Sequence, residues 1–310
     1  MKRRDFATKA AGTVAAAAAA GGAVAHADSH ETSGELLGPK FKLKYAPHHG
    51  QFKHHAGDDY LDQIKFAADA GFTAWEDNGM MKKEPALQEK AAAVMAERGV
   101  TMGVFVSYAS FKEATFADPS PESRQMLKER MQEALECAKR VNAKWTTVVP
   151  GSFVNNLEWD YQTANVVDTL KMCAEILEPA GVVMVLEPLN PWRNHPGCFL
   201  SKIPQAYQIC KAVGSPSCKI LDDLYHQQIT EGNLIPNMDK AWEEIAYIQV
   251  GDNPGRKEPG TGEINYRNIF KHLKEKKNFT GVVGMEHGIS RKGKEGEVAL
   301  IQAYRDADNF

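Results

Sequence analysis

Four stretches of the chain end in the same way. Val183-Met184-Val185-Leu186 runs into Glu187, Lys219-Ile220-Leu221 into Asp222 and Asp223, Ala246-Tyr247-Ile248 into Gln249, and Gly281-Val282-Val283-Gly284-Met285 into Glu286. Each is a run of strand-forming residues that closes on an oxygen ligand. Three carboxylates and one neutral carbonyl oxygen suit a hard divalent cation such as Mg²⁺ or Mn²⁺, whereas zinc would draw more nitrogen or sulfur. A carboxylate at the end of an apolar strand costs several kcal/mol when unpaired, so Glu187 and Glu286 each need a cation, a guanidinium or a proton. Pairing of either with Arg193 or Arg256 is the plainer alternative. Four such positions together favour an ion, and two carboxylates beside a small polar substrate suit proton transfer through a metal-stabilised enediolate. One glutamate removes the proton and the other returns it.

Such groups work together only if the strands bring them to one place. Apolar runs expected as strands near 42–47, 72–76, 101–107, 145–150, 182–187, 218–223, 246–251 and 281–286 alternate with segments of helical period. Leu127, Met131, Ala134, Ala138 and Val141 step by four and three, as do Val166, Leu170, Cys173 and Leu177. The strands lack polar alternation, the pattern of parallel strands covered on both faces. Eight strand-helix units point to an α/β fold, a single-domain (β/α)₈ TIM barrel with its active site at the carboxyl ends of the strands. No GxGxxG follows the first strand and no GxxxxGK[ST] occurs, so nucleotide-cradling loops lack support.

Further candidates stand near the expected mouth. Neighbours on a strand point to opposite faces, so only one of Asp222 and Asp223 looks inward, and the pattern does not choose between them. His226 lies three residues beyond Asp223, within reach of a substrate oxygen. Of the cluster His48, His49, His54 and His55, past the first strand, His49 is read as a substrate contact. His195, in the proline-rich loop after the fifth strand, is read in the same way. Glu76 could also line the mouth, and Trp75, Phe105, Trp145 and Trp192 read as core or wall.

The chain has 310 residues, 43% hydrophobic and 25% charged, with a net charge of −3. A single barrel needs roughly 250 residues. Without a basic surface, nucleic acid is an unsuitable partner. Residues 1–27 read as an export signal. Lys2-Arg3-Arg4-Asp5-Phe6 precedes an alanine-rich run and Ala25-His26-Ala27, and the paired arginines indicate the twin-arginine route to the periplasm. The run is too weakly apolar for stable membrane insertion. Residues 28–40 read as a linker and 41–310 as the barrel. Five cysteines show no CxxC spacing and read mostly as buried small hydrophobes, with Cys210–Cys218 as the one conceivable bridge.

The chain resembles the hydroxypyruvate isomerase family, within the wider xylose isomerase-like barrel superfamily. The resemblance rests on Glu187-Pro188-Leu189-Asn190, on Asp223-Leu224-Tyr225-His226-Gln227-Gln228-Ile229 with Glu231-Gly232-Asn233, on Ile248 to Arg256 with Glu258 to Tyr266, and on Gly281 to Glu286. It implies metal binding by Glu187, Asp223, Gln249 and Glu286, selecting Asp223 over Asp222. It further implies Glu187 and Glu286 as the acid/base pair and His226 and Arg256 as substrate contacts. Ketose 3-epimerases of the superfamily usually carry histidine where Gln249 stands. The chain departs from the family in the loop Trp192 to Cys198, in His287 where tyrosine is usual, and in its export signal.

The resulting expectation is an exported, metal-dependent isomerase of a small hydroxy-keto acid or sugar, with hydroxypyruvate and tartronate semialdehyde the first pair to test. A homo-oligomer is compatible with the sequence. The rivals are a sugar epimerase on the same site and a non-catalytic exported sugar-binding barrel. An endonuclease-IV-like phosphodiesterase would need a richer metal-ligand set and a positive surface.

Overall fold

The computed structural model describes residues 38–310; the expected export signal and most of the linker lie outside them. In chain order the elements are β1 (Lys44–Ala46), α1 (Lys53–Ala56), α2 (Tyr60–Asp69), β2 (Ala74–Trp75), α3 (Pro85–Arg98), β3 (Thr101–Met102), β4 (Phe105–Ala109), α4 (Pro121–Val141), β5 (Trp145–Val149), α5 (Trp159–Leu177), β6 (Val183–Leu186), α6 (Ile203–Val213), β7 (Cys218–Asp223), α7 (Leu224–Thr230), α8 (Leu234–Ala241), β8 (Ile245–Gln249), α9 (Tyr266–Lys271), β9 (Val282–Gly284) and α10 (Gly293–Asp308). Every strand pairing is parallel, with one sheet in the order β1-β9-β8-β7-β6-β5-β4 and a second made of β2 and β3.

Backbone hydrogen bonds join the two sheets on both sides. His48 bridges Glu76, whose N–H donates to the Pro47 carbonyl at 3.0 Å, and across the other seam the Val106 N–H of β4 donates to the Asn78 carbonyl, just beyond β2, at 3.3 Å. The ring closes, and the fold is a TIM barrel. The expected third strand is broken into β3 and β4. A side chain at Gly103 would strike the Tyr247 hydroxyl, which lies 3.3 Å from the Val104 N–H, so the chain steps aside there to admit a tyrosine.

The helices form for the reasons legible in their composition. In α4, Pro121 opens the first turn, Ser120 accepts from the Ser123 N–H at 3.1 Å, and Asn142 closes the helix in the left-handed region. Its stripe Leu127, Met131, Ala134, Ala138 and Val141 is buried, as are Val166, Leu170, Cys173 and Leu177 of α5. All five cysteines are buried and free, so the conceivable Cys210–Cys218 bridge is not made.

Strand phase decides what faces the barrel axis. Ala46, Ala74, Val104, Trp145, Val183, Val185, Leu221, Tyr247 and Val282 pack together as one apolar cluster, filling the lower interior. Side chains repeat on one face every second residue. Two positions beyond Ala46, Ala74, Val185, Leu221 and Tyr247 come His48, Glu76, Glu187, Asp223 and Gln249, and four beyond Val282 comes Glu286. On these six strands the interior thus changes from apolar to polar within one or two steps.

Candidate active site

Asp223 is fully buried and serves two purposes. One carboxylate oxygen caps α7 by accepting from the Tyr225 N–H at 2.8 Å; the other lies 3.3 Å from an Arg256 guanidinium nitrogen and 3.6 Å from His226 Nε2. Its neighbour Asp222 faces the opposite way, buried outside the ring, where burial pushes its carboxyl up to about 8. Phase alone, with Leu221 inside, selects Asp223. Burial raises the Asp223 carboxyl against the pull of Arg256 and the cap hydrogen bonds.

His226 is held from behind. The Asn190 N–H lies 3.1 Å and its Nδ2 lies 2.7 Å from His226 Nδ1. Facing two donors, Nδ1 is the acceptor, so the ring proton sits on Nε2. That nitrogen is buried without a hydrogen-bond partner among the described residues, 3.9 Å from Glu187 Oε1. Burial pushes the imidazole down to about 2, keeping it neutral. Glu187, Asp223 and His226 offer ligand atoms within 4.8 Å of one another. With its proton on Nε2, however, His226 is a donor toward this space rather than a third ligand.

Gln249 is fixed by Glu76, which is wholly buried and accepts from Gln249 Nε2 at 2.7 Å and the Tyr247 hydroxyl at 2.6 Å, with His48 Nε2 at 2.8 Å. A side chain at Gly284 would fall on the Glu76 carboxylate, so only glycine leaves room for this network. Because its amide nitrogen is spent on Glu76, Gln249 turns its oxygen the other way, where it is buried without a hydrogen-bond partner among the described residues. Tyr247 gave no signal in the sequence; Glu76 repeats the strand-end pattern one position after Trp75.

Glu286 accepts from Asn78 Nδ2 at 3.0 Å and pairs with Arg256 at 2.7 Å. The plainer alternative of a guanidinium partner therefore holds for Glu286, though not for Glu187. Arg256 joins Asp223 to Glu286 and lies 4.9 Å over the Tyr225 ring. Its loop is organised by Asp252, also missed in the sequence, whose buried carboxylate accepts from the N–H groups of Gly260, Gly262 and Ile264 at 2.9 to 3.1 Å. Burial raises the Glu286 carboxyl to about 7 against the Arg256 charge. Glu187 is driven well upward by burial and by the charges of Glu286 and Asp223.

The remaining candidates separate. His48 joins the inner network, and His49 stands exposed at the rim with its ring 5.1 Å from Tyr60. His54 and His55 leave the mouth altogether: their N–H groups bind the buried carboxylate of Glu297, tying α1 to α10. His195 stacks on Phe111 at 4.7 Å and lies 5.4 Å from His226. Trp75, Phe105 and Trp145 are core, but Trp192 is 75% exposed at the tip of its loop and builds no wall.

The donor set fits a hard divalent ion. An amide oxygen with no hydrogen-bond partner among the described residues shares the inner face with two buried carboxyls whose charge burial resists, and a bound cation would relieve both conditions. Among characterised proteins, this chain is 31% identical over 167 residues to hydroxypyruvate isomerase of Escherichia coli, covering 54% of this chain and 64% of that protein. It is 28% identical over 246 residues to 2-oxo-tetronate isomerase of Pectobacterium atrosepticum, covering 76% and 89%. The crystal structure of an AP endonuclease, family 2, from Brucella melitensis superposes with a TM-score of 0.72 at 24% identity, covering 84% of this chain and 99% of that one. Residues 64–306 match the model of one family, and the chain belongs to it: the xylose isomerase-like TIM barrels.

Proposed function

We propose that the protein is a metal-dependent isomerase of a small hydroxy-keto acid or sugar, working by proton transfer through an enediolate. The observation that carries this reading is Gln249, whose amide is anchored by Glu76 so that a lone carbonyl oxygen stands on the barrel's inner face with Glu187 and Asp223. Glu187, Asp223, Gln249 and Glu286 would hold the ion, Mg²⁺ or Mn²⁺. When bound, it supplies positive charge that favours negative charge on the substrate's carbonyl and adjacent hydroxyl oxygens.

The chain's own groups do the proton work. Glu286, held by Asn78 and Arg256 at the end of its strand, accepts the proton from carbon. Glu187 is the partner acid. His226 donates through Nε2 to a substrate oxygen, and because its Nδ1 already accepts from Asn190 and burial lowers its basicity, it does not compete with the glutamates for the proton. Arg256 orients substrate while spanning Asp223 and Glu286, and His195 and His49 contact its outer parts. The names of the relatives, hydroxypyruvate isomerase and 2-oxo-tetronate isomerase, support the reaction class.

The test is a screen of ketoses and hydroxy-keto acids in deuterated water with Mg²⁺ or Mn²⁺. Deuterium in product whose carbonyl has moved supports the isomerase. Deuterium with an inverted centre and an unmoved carbonyl makes the protein an epimerase. Ligand bound without exchange makes it a binding barrel and overturns the proposal. Residues 1–27 are read as a twin-arginine signal that sends the enzyme to the periplasm; mass spectrometry of exported protein still carrying Met1 to Ala27 would refute that.

A further inference from the structure

The loop that carries Arg256 is joined to the loop after β9 by two rungs of equal spacing. The Gly288 N–H donates to the Arg256 carbonyl at 3.0 Å. Two residues further along each loop, the Ser290 N–H donates to the Glu258 carboxylate at 2.9 Å, and the Ser290 hydroxyl donates to its other oxygen. Glu258 is 2% exposed, and its carboxylate accepts from Ser290 alone among the described residues. One N–H and one hydroxyl return only part of the hydration a carboxylate loses on burial, and a neutral side chain would fill the space at lower cost. No step of the proton transfer uses Glu258.

Between these rungs and the site stands one residue in a rare conformation. Arg256 has φ +50°, in the left-handed region that residues with a Cβ avoid, and such a backbone persists only where its surroundings over-determine it. Its N–H donates to the Asp252 carbonyl at 2.6 Å and its carbonyl is taken by Gly288, so both backbone polar groups are committed. From that turn the guanidinium reaches Glu286 at 2.7 Å and Asp223 at 3.3 Å and lies over the Tyr225 ring. The Asp252 carboxylate gathers its own loop by accepting from the N–H groups of Gly260, Gly262 and Ile264, and none of those bonds reaches the β9 loop. Glu258 supplies the side-chain bonds that do.

We infer that Glu258 is a positioning residue: by clasping Ser290 it locks the two loops in register, holds Arg256 in its left-handed turn and so fixes the guanidinium across Asp223 and Glu286. The inference rests on the isomerase reading only in taking Arg256 to orient substrate; the hold on the guanidinium can be read without turnover.

Phenylglyoxal modifies guanidinium groups, and mass spectrometry of the digested protein gives the rate at each arginine. Ser290→Ala removes the hydroxyl and leaves the backbone N–H. Arg256 should then react about three- to tenfold faster than in the wild type, the factor that loss of one hydrogen bond allows. Ser290→Thr, which keeps the hydroxyl, should return the wild-type rate. Arg140, half-buried on α4 against Gln88, is the control. An unchanged rate at Arg256, or an equal rise at Arg140, overturns the inference. If Ser290→Ala does not fold, Glu258→Gln, which turns an amide NH2 toward one of the two donors, is read in the same way. In the Mn²⁺-loaded enzyme Ser290→Ala should lower kcat/KM by about three- to tenfold, but by less than about twofold when combined with Arg256→Lys, because a residue acting through Arg256 then has nothing to position. Additive losses overturn the inference. Absence of turnover with every substrate defeats the isomerase reading, a separate result that leaves the labelling rates to decide the clasp.

Discussion

Glu286 and Glu187 occupy equivalent strand ends but different surroundings. Glu286 has a guanidinium and an amide; Glu187 has burial and two neighbouring negative charges. If the two share one proton-transfer cycle, Glu286→Gln and Glu187→Gln should each lower kcat by about 10²–10⁴-fold with the fold retained by circular dichroism. Retained activity in either variant removes that residue from the acid/base pair. Gln249→Leu leaves the carboxylates in place but deletes the lone amide oxygen. It should weaken Mn²⁺ affinity in a direct binding titration, and unchanged affinity would sink the ligand role.

At the scale of the elements, the strands were legible in the sequence, but their pattern left Asp222 and Asp223 open until the resemblance selected Asp223; the phase that turns residues inward is a feature of the folded barrel. Leu221 inside places Asp223 inside, and Tyr247 places Gln249. The sequence did not reveal what stands behind them. Glu76, Tyr247, Asn190 and Asp252 act through contacts between residues far apart in the chain, such as the 173-residue separation of Glu76 and Gln249, and no local spacing records such contacts. The four histidines after β1 looked like one tract because they are close in sequence, yet the turn into α1 sends His54 and His55 to Glu297 and leaves His48 and His49 at the mouth. The break between β3 and β4 is likewise set by a tyrosine on a distant strand. Gly284→Ala should expose this dependence, because the added methyl displaces the Glu76 carboxylate. Overpacking should cost about 1–3 kcal/mol in urea denaturation, together with weaker metal binding. A neutral result would mean that Glu76 does not anchor Gln249.

For the whole molecule, ion binding and stability are linked. An ion that binds only the folded barrel raises the melting temperature, and removing it with a chelator lowers it. The pH dependence has a definite sign. Burial raises the Glu187, Asp223 and Glu286 carboxyls above their unfolded values, so between about pH 4.5 and about pH 7 the metal-free folded state holds more protons than the unfolded state. Their contribution to metal-free stability therefore declines as pH rises through that window. Binding a cation must displace those protons, so the rise in melting temperature produced by Mn²⁺ should be larger at about pH 8 than at about pH 5.5. A pH-independent shift would place the ion elsewhere.

The barrel's lower interior is closed by the Trp145 ring, which meets Tyr247 edge-on at 5.8 Å, with Val183, Val185 and Val282 packed around them. Among the described residues that packing plugs the lower end, so a reactant entering and a product leaving are expected to share the upper doorway. Any bulky molecule lodged over that doorway would therefore trap the last turnover as effectively as it bars the next.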